Sequence, residues 1–324
     1  DTSGWRRMTT SGWPSARYDH SAIYDPVRDR MLVFGGEYGA ERNDVWALPL
    51  TGNPNWTELT PASSPGGRWL HSAVYDPAGH RMVVFGGWAY DSTGRYLNDV
   101  WALSLEAAPV WAALRPGDTP PSARANHSSI YDPLRDRMVV FGGRDDVSAF
   151  NDVWTFSLTG TPCWTLLTTS GTAPGRRYAH SAIYDPVRDR MVVFGGQDAS
   201  SRFNDVWTLS LAGVPTWAEL TPAGPLPDWR CGHSAIYVPT RDGMVVFGGF
   251  WGFNDSWELS LADVPAWTPL TTAGTPPSAR AFHGAVYDPV RDRMVVAGGW
   301  NGSSGFGDAW TLSLTGTPTW TELA

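Results

Sequence analysis

The chain has 324 residues, a formal net charge of −8 and a pI near 5.3. An acidic balance with no basic run excludes nucleic acid as the main partner, and no apolar stretch reaches the roughly 18 residues of a spanning helix, so no membrane partner is expected. All 24 basic residues are Arg, which excludes Schiff-base chemistry and a lysine base and fits a GC-rich coding sequence.

In chain order, the first pattern is a Trp-x-x-Leu-like segment, Trp5-Arg6-Arg7-Met8. His20 to Asp25 then reads as a strand, and Arg30 to Phe34 as a second, fully buried one rich in β-branched and aromatic residues. Pro26, within Asp25-Pro26-Val27-Arg28-Asp29, suits the fixed φ of a type I turn between them. Gly35 and Gly36 permit backbone that other residues resist. Asp44 to Leu48 is the third strand, and Trp56 to Leu59 the fourth and outermost.

The same block recurs five more times, with Gly-Gly pairs at 35–36, 86–87, 142–143, 195–196, 248–249 and 298–299. Spacings of 51, 56, 53, 53 and 50 residues, each holding four short apolar strands, predict a propeller, because one four-stranded unit cannot bury both of its faces alone. The expected fold is all-β, one six-bladed β-propeller domain over 1–324 with four antiparallel strands per blade. The blades run roughly over 17–59, 68–114, 124–167, 177–220, 230–270 and 280–323, with 1–16 as an extra N-terminal strand. Trp5-Arg6-Arg7-Met8 and Trp320-Thr321-Glu322-Leu323 compete for the outermost slot of the last blade. The ring is expected to close by pairing of the two termini there, since an unpaired edge is a liability.

The paired glycines, the aromatic that follows them and the outer-strand Trp of all six copies resemble the kelch repeat across essentially the whole chain. The resemblance implies a six-bladed propeller of the class that includes the central domain of galactose oxidase. Departures are Val238 for Asp, Ala297 for Phe, Gly307 for Asn, and Gly79-His80 within one Arg-Asp turn.

Antiparallel strands reverse at each step, so connections alternate between the two ends of a blade. The turns at one end hardly vary, and nearly all variation lies at the other. That variable mouth is where a ligand is expected. Each copy offers it an Arg, namely Arg17, Arg68, Arg124, Arg177, Arg230 and Arg280, suited to a carboxylate or phosphate. The kelch resemblance implies that matching arginines often take part in ligand binding. Alternatively each pairs with a repeat Asp such as Asp44 or Asp99 and holds neighbouring blades together. The repeat histidines at 20, 71, 127, 180, 233 and 283 are read as structural hydrogen-bonding groups, because a metal needs three or four ligands converging on one ion. No metal and no cofactor is called for.

Of 19 Trp, thirteen are repeat residues, and the surplus at 13, 69, 88, 229, 251 and 300 all fall in the variable loops. Trp69, Trp88, Tyr90, Tyr178, Trp229, Trp251 and Trp300 are the aromatic ligand-binding candidates, with Arg144, Asp145 and Asp198 as the charged ones. Flat apolar rings with a polar tip suit sugars, aromatic ligands and protein hot spots. The chain lacks a P-loop, a dinucleotide glycine fingerprint, His-Glu-x-x-His and a Gly-x-Ser-x-Gly elbow, and every His except His80 belongs to the repeat.

The function expected is therefore a monomeric binding module for a glycan, small molecule or protein. The alternatives are a carbohydrate-active enzyme and a structural or engineered propeller without ligand. A mutarotase or hydrolase would use carboxylates such as Asp145, Asp146, Asp198 or Glu37. A copper oxidase, suggested by galactose oxidase, lacks non-repeat histidines at the mouth near Cys231. Loops that differ in length and composition count against a consensus design. Cys163 and Cys231 sit two blades apart, too far for a disulfide. A chain starting at Asp1 without Met or signal peptide is read as having lost a targeting segment or never included one; a soluble, secreted or periplasmic protein of a GC-rich bacterium is the expectation.

Overall fold

Each repeat closes on itself before it meets its neighbour. In the computed structural model, which describes residues 12–52, 54–90 and 94–323, the first copy forms strands Ser21–Asp25, Arg30–Phe34, Val45–Pro49 and Thr57–Leu59. They pair antiparallel in that order. The inner strand alternates buried and half-exposed side chains, whereas Arg30–Phe34 is buried at four of five positions. Five more four-stranded sheets follow in chain order, which is the six-bladed all-β propeller that the repeat predicts.

Apolar clusters fill the space between blades. One joins Leu32 and Phe34 of the first blade to Met82, Val84 and Leu103 of the second. Phe34 packs on the outer-strand Trp111 of the next blade with ring centroids 4.8 Å apart, and the same pairing recurs through Phe247 and Trp320. At the closing junction, Met31 and Val33 meet Val286 and Val295, with Ala297 in the cluster that holds Trp56.

The sixth blade is completed by the C-terminal strand. Thr319–Glu322 takes the outermost slot of the sixth blade, so all four of its described strands come from the last repeat, and no strand is shared between the termini among the described residues. Trp5-Arg6-Arg7-Met8 lies outside them. Residues 17 to 20 join the first blade to the sixth with the bonds used at every other junction. The Arg17 amide donates to the Phe306 carbonyl at 2.9 Å and the Gly299 amide to the Arg17 carbonyl at 2.8 Å, just as the Arg68 amide meets the Arg42 carbonyl. At the opposite end Arg291 reaches Asp29 at 2.6 Å. Because this junction has its own apolar cluster and its own hydrogen bonds, it needs no shared strand.

At the invariable end the acid of Tyr-Asp-Pro builds the turn. Asp25 is fully buried; one carboxylate oxygen accepts the amides of Val27 and Arg28 and the other accepts Arg30 Nε at 2.9 Å. In the fifth blade Val238 replaces this Asp and pairs across the strands with Gly243, in the place of the Arg. Acid and base are lost together, so neither charge is left buried alone. Restoring half of that loss elsewhere should be costly: Asp132→Val, which strands Arg137, is expected to destabilise by about 3–5 kcal/mol. Asp132→Val with Arg137→Leu should unfold at a higher urea concentration than the single variant, as equilibrium denaturation would show.

Candidate functional site

The six arginines of Arg-x-x-His are only 0–2% exposed. Arg17 donates from Nη1 and Nη2 to the two carboxylate oxygens of Asp44 at 2.7 and 2.8 Å, and from Nη1 to the Gly35 carbonyl at 3.0 Å. Arg68 with Asp99, Arg124 with Asp152, Arg177 with Asp205, Arg230 with Asp255 and Arg280 with Asp308 repeat the pair. Burial raises the Asp44 carboxyl, but Arg17 more than reverses this and holds it below the usual range. Of the two readings of Arg17, Arg68, Arg124, Arg177, Arg230 and Arg280, these geometries are those of the second, in which each pairs with a repeat Asp. A guanidinium this deeply buried must be matched by a carboxylate, and none is left to face the mouth.

The Gly-Gly pair is explained at the same place. Gly35 and Gly36 have φ of 69° and 92°. A Cβ on the first would stand 2.7 Å from the Arg68 carbonyl oxygen of the next blade, and one on the second 2.8 Å from that of Tyr18.

Within Arg-x-x-His the two variable residues do different jobs. The first pairs with the residue after Gly-Gly: Tyr18 with Glu37, Trp69 with Trp88, Ala125 with Arg144, Tyr178 with Gln197 and Ala281 with Trp300. In the fifth blade the Phe250 amide donates to the Cys231 carbonyl. The second, at 19, 70, 126, 179, 232 and 282, adopts a left-handed φ in every blade. Its amide donates to the carbonyl of its counterpart one blade back, so six bonds of 2.6–2.9 Å close a ring around the channel.

Below this neck is a cavity of about 130 Å³ lined by the six repeat histidines. In five of them Nε2 lies 2.7–2.9 Å from a Ser hydroxyl of the preceding blade. Gly284 has no hydroxyl, and its amide donates to His20 Nε2 instead. Burial, helped by the neighbouring Arg charge, pushes His20 and His127 down to about 3, so the ring is neutral at pH 7.

The rim above is not six-fold. Blade two carries the long hairpin Arg81–Ala89 with Arg95–Ser104, and blade five carries Gly243–Gly249 with Phe253–Ser260, where the equivalent strands elsewhere have five residues. In a six-bladed ring these two stand opposite each other. Trp88 crosses Trp69 at 82° with centroids 5.4 Å apart and lies 5.7 Å from Tyr90. Trp251 crosses Trp229 at 76° and 4.7 Å. Trp300 stacks between Tyr18 and Phe250, 5.7 Å from each. Two cavities open on this rim, about 450 Å³ beside Trp69, Trp88 and Tyr90 and about 340 Å³ beside Phe250, Trp251 and Trp300.

The charged candidates are engaged within the protein, Arg144 with the next blade and the two aspartates with their own loops. Arg144 lies 4.8 Å over the Tyr178 ring. One oxygen of Asp145 accepts the amides of Val147 and Ser148, and one of Asp198 those of Ser200 and Ser201. The Ser200 amide bond holds the Asp198 carboxyl low. Burial pushes the Cys231 thiol up to about 12, and both cysteines are free. Asp91 lies outside the described residues. Sequence reading missed Arg202, whose guanidinium sits 4.3 and 4.4 Å from the Trp229 and Trp251 rings, and Glu41 beside Trp69 and Trp88. Each precedes the Asn-Asp pair by two residues, at 43–44 and 204–205, a spacing that marks them as equivalent positions but not as neighbours of a Trp pair.

A closed ring of Arg-Asp-stitched blades with paired glycines under a variable aromatic rim defines a kelch-type propeller. The chain belongs to the kelch-repeat family: the model of the KLHDC2/KLHL20/DRC7 Kelch-repeats domain matches residues 1–158, 108–220 and 212–324. It is similar to Putative adagio-like protein 2 of Oryza sativa subsp. japonica, 33% identical over 268 residues that cover 76% of this chain and 40% of that protein. It also matches Adagio protein 3 of Arabidopsis thaliana, 34% identical over 264 residues with the same 76% and 40% coverage. Host cell factor 2 of Homo sapiens is 28% identical over 269 residues, covering 76% of this chain and 32% of that protein. The chain thus spans two fifths or less of these relatives. A solved structure titled "Structure of YjhT" shares the fold, with a TM-score of 0.73 at 17% identity over 96% of this chain and 99% of that one. No helix of the described residues is long and apolar enough to cross a membrane.

The histidine ring predicts an acid sensitivity. A His held at about 3 in the folded chain and titrating near 6.5 when unfolded contributes stability that is complete above pH 6.5 and is lost as pH falls toward 3, at roughly 1.4 kcal/mol per pH unit. The urea midpoint should therefore drop between pH 7 and 5, above the range where ordinary carboxylates titrate; the exception at the neck is Asp19, whose carboxyl is raised by burial, an effect of opposite sign. His127→Asn should flatten that slope while lowering stability at pH 7.

Proposed function

We propose that this chain is a binding module that takes a segment of a protein partner across the aromatic mouth of its propeller. The supporting observation is the placement of exposed rings. Every exposed aromatic among the described residues, Trp13, Tyr38, Tyr90, Trp229 and Trp251, belongs to the variable loops of this one end, and none is a repeat residue. Such rings bring large contact area at little entropic cost, which is why they dominate protein hot spots. The loops stand on a backbone held by the neck and by the Arg-Asp pairs, so little ordering is left for the partner to impose. The mouth candidates Trp69, Trp88, Tyr90, Tyr178, Trp229, Trp251 and Trp300 contribute to that surface, and Asp145 and Asp198 shape its loops.

Selecting a displayed peptide library on the purified protein, then measuring the selected peptides by calorimetry, tests the reading. Trp88→Ala and Trp251→Ala should each weaken binding by tenfold or more without a change in melting temperature. Val187→Ser in an invariable turn should leave it unchanged. Peptides that bind all three variants like the parent would place the binding surface elsewhere.

A further inference from the structure

Two Trp pairs face each other across the mouth, and the chain treats them oppositely. At the junction of blades four and five, the crossed rings of Trp229 and Trp251 hold the guanidinium of Arg202, supplied by the preceding blade, at 4.3 and 4.4 Å. At the junction of blades one and two, Trp69 and Trp88 cross at nearly the same angle, 82° against 76°. The residue that the preceding blade supplies there is Glu41. The two positions correspond in the backbone: Glu41 bridges Glu37 as Arg202 bridges Gln197, and the following residue in each, Arg42 or Phe203, donates its amide to the second glycine of its pair. Where one junction carries its own cation, the other carries a carboxylate beside an open cavity of about 450 Å³ lined by Glu37, Glu41, Trp69, Trp88 and Tyr90. No cation stacks on Trp69 or Trp88 among the described ring contacts.

The walls of this cavity are held in place. Gly94 packs so closely on Trp88 that a Cβ there would stand 2.6 Å from the indole. Glu41 Oε1 accepts the Tyr90 amide at 2.6 Å, which fixes the carboxylate beside the tyrosine ring and leaves its charge in place. Arg42 turns to the Tyr38 carbonyl at 3.5 Å. Crossed aromatic faces attract a cation through their quadrupoles, and more strongly when it is partly desolvated and matched by carboxylates.

We propose that the cavity of Trp69, Trp88, Tyr90, Glu37 and Glu41 is a recognition site for an organic cation, a guanidinium or ammonium group on a side chain of the partner. The site rests on the reading of this mouth as the binding face and adds to it the charge of what enters.

The test uses small probes, so it does not depend on a partner being found. N-acetylarginine amide, N-acetyllysine amide with a free ε-ammonium, and tetramethylammonium are titrated while the indole N–H resonances of Trp69 and Trp88 are followed by NMR. N-acetylcitrulline amide, the neutral counterpart of the arginine probe, is the control. At least one cation should shift both resonances, with citrulline at least fivefold weaker, and the arginine and ammonium arms tell which head group is preferred. Glu41→Gln keeps an oxygen to accept the Tyr90 amide and removes only charge. It should weaken the preferred cation at least fivefold, leave citrulline unchanged and leave the melting temperature unmoved. If citrulline binds as well as arginine, if Glu41→Gln has no effect, or if no probe shifts these resonances, the site is not a cation site. Peptide binding lost on Trp88→Ala would still stand in that case, so the two readings fail separately.

Discussion

The bidentate contact between the arginine of Arg-x-x-His and the aspartate before the third-strand Trp is the constraint on which the rest of the ring depends. Its side chain works within one blade and its backbone between two. Arg68 binds Asp99 and the Gly86 carbonyl of its own blade, while its amide and carbonyl meet Arg42 and Gly36 of the blade before. That close backbone approach is what leaves no room for a Cβ at the first glycine of each pair. The same aspartate accepts the indole N–H of the Trp two residues on, 2.7 Å from Trp46 to Asp44, so one half-buried acid orients two recurring side chains of the repeat, Arg17 and Trp46, at once. Removing the aspartate leaves a guanidinium that is only 0–2% exposed without compensation.

With blades stitched by main chain and by this ion pair, the mouth can vary without loosening the ring. The neck is made of backbone alone, and its six positions accept Asp, Leu, Asn, Ala, Gly and Phe because only their left-handed φ is constrained. The rim positions one residue earlier pair through backbone too, and so accept Tyr, Trp, Ala or Cys. Variation in side chains therefore costs the scaffold little and is free to serve binding. The two long hairpins reduce a six-fold frame to a surface with two opposed Trp pairs, one filled by Arg202 and one lined by Glu41.

Much of this was legible in the repeat. Six Gly-Gly pairs near a 50-residue period identify the propeller because a solitary four-stranded sheet has two apolar faces to cover, and subtraction of repeat residues leaves the surplus Trp at one end. The arginines left two readings open because exposure is invisible in a motif: an Arg at a mouth and an Arg buried beneath it read alike until the distance to Asp44 or Asp152 is known. The outermost strand of the last blade was open in the sequence for a related reason, since a Trp-x-x-Leu-like segment at each end says nothing about which one that sheet admits.

The sequence by itself determined the fold, the strand order within each blade and the end at which variation gathers, because those follow from local patterns repeated six times. Only the tertiary structure decided which charges are buried in pairs and which line a cavity. Arg202 and Glu41 occupy equivalent places in their repeats, yet each meets its Trp pair only after the next blade docks, across a junction that no spacing within one repeat records.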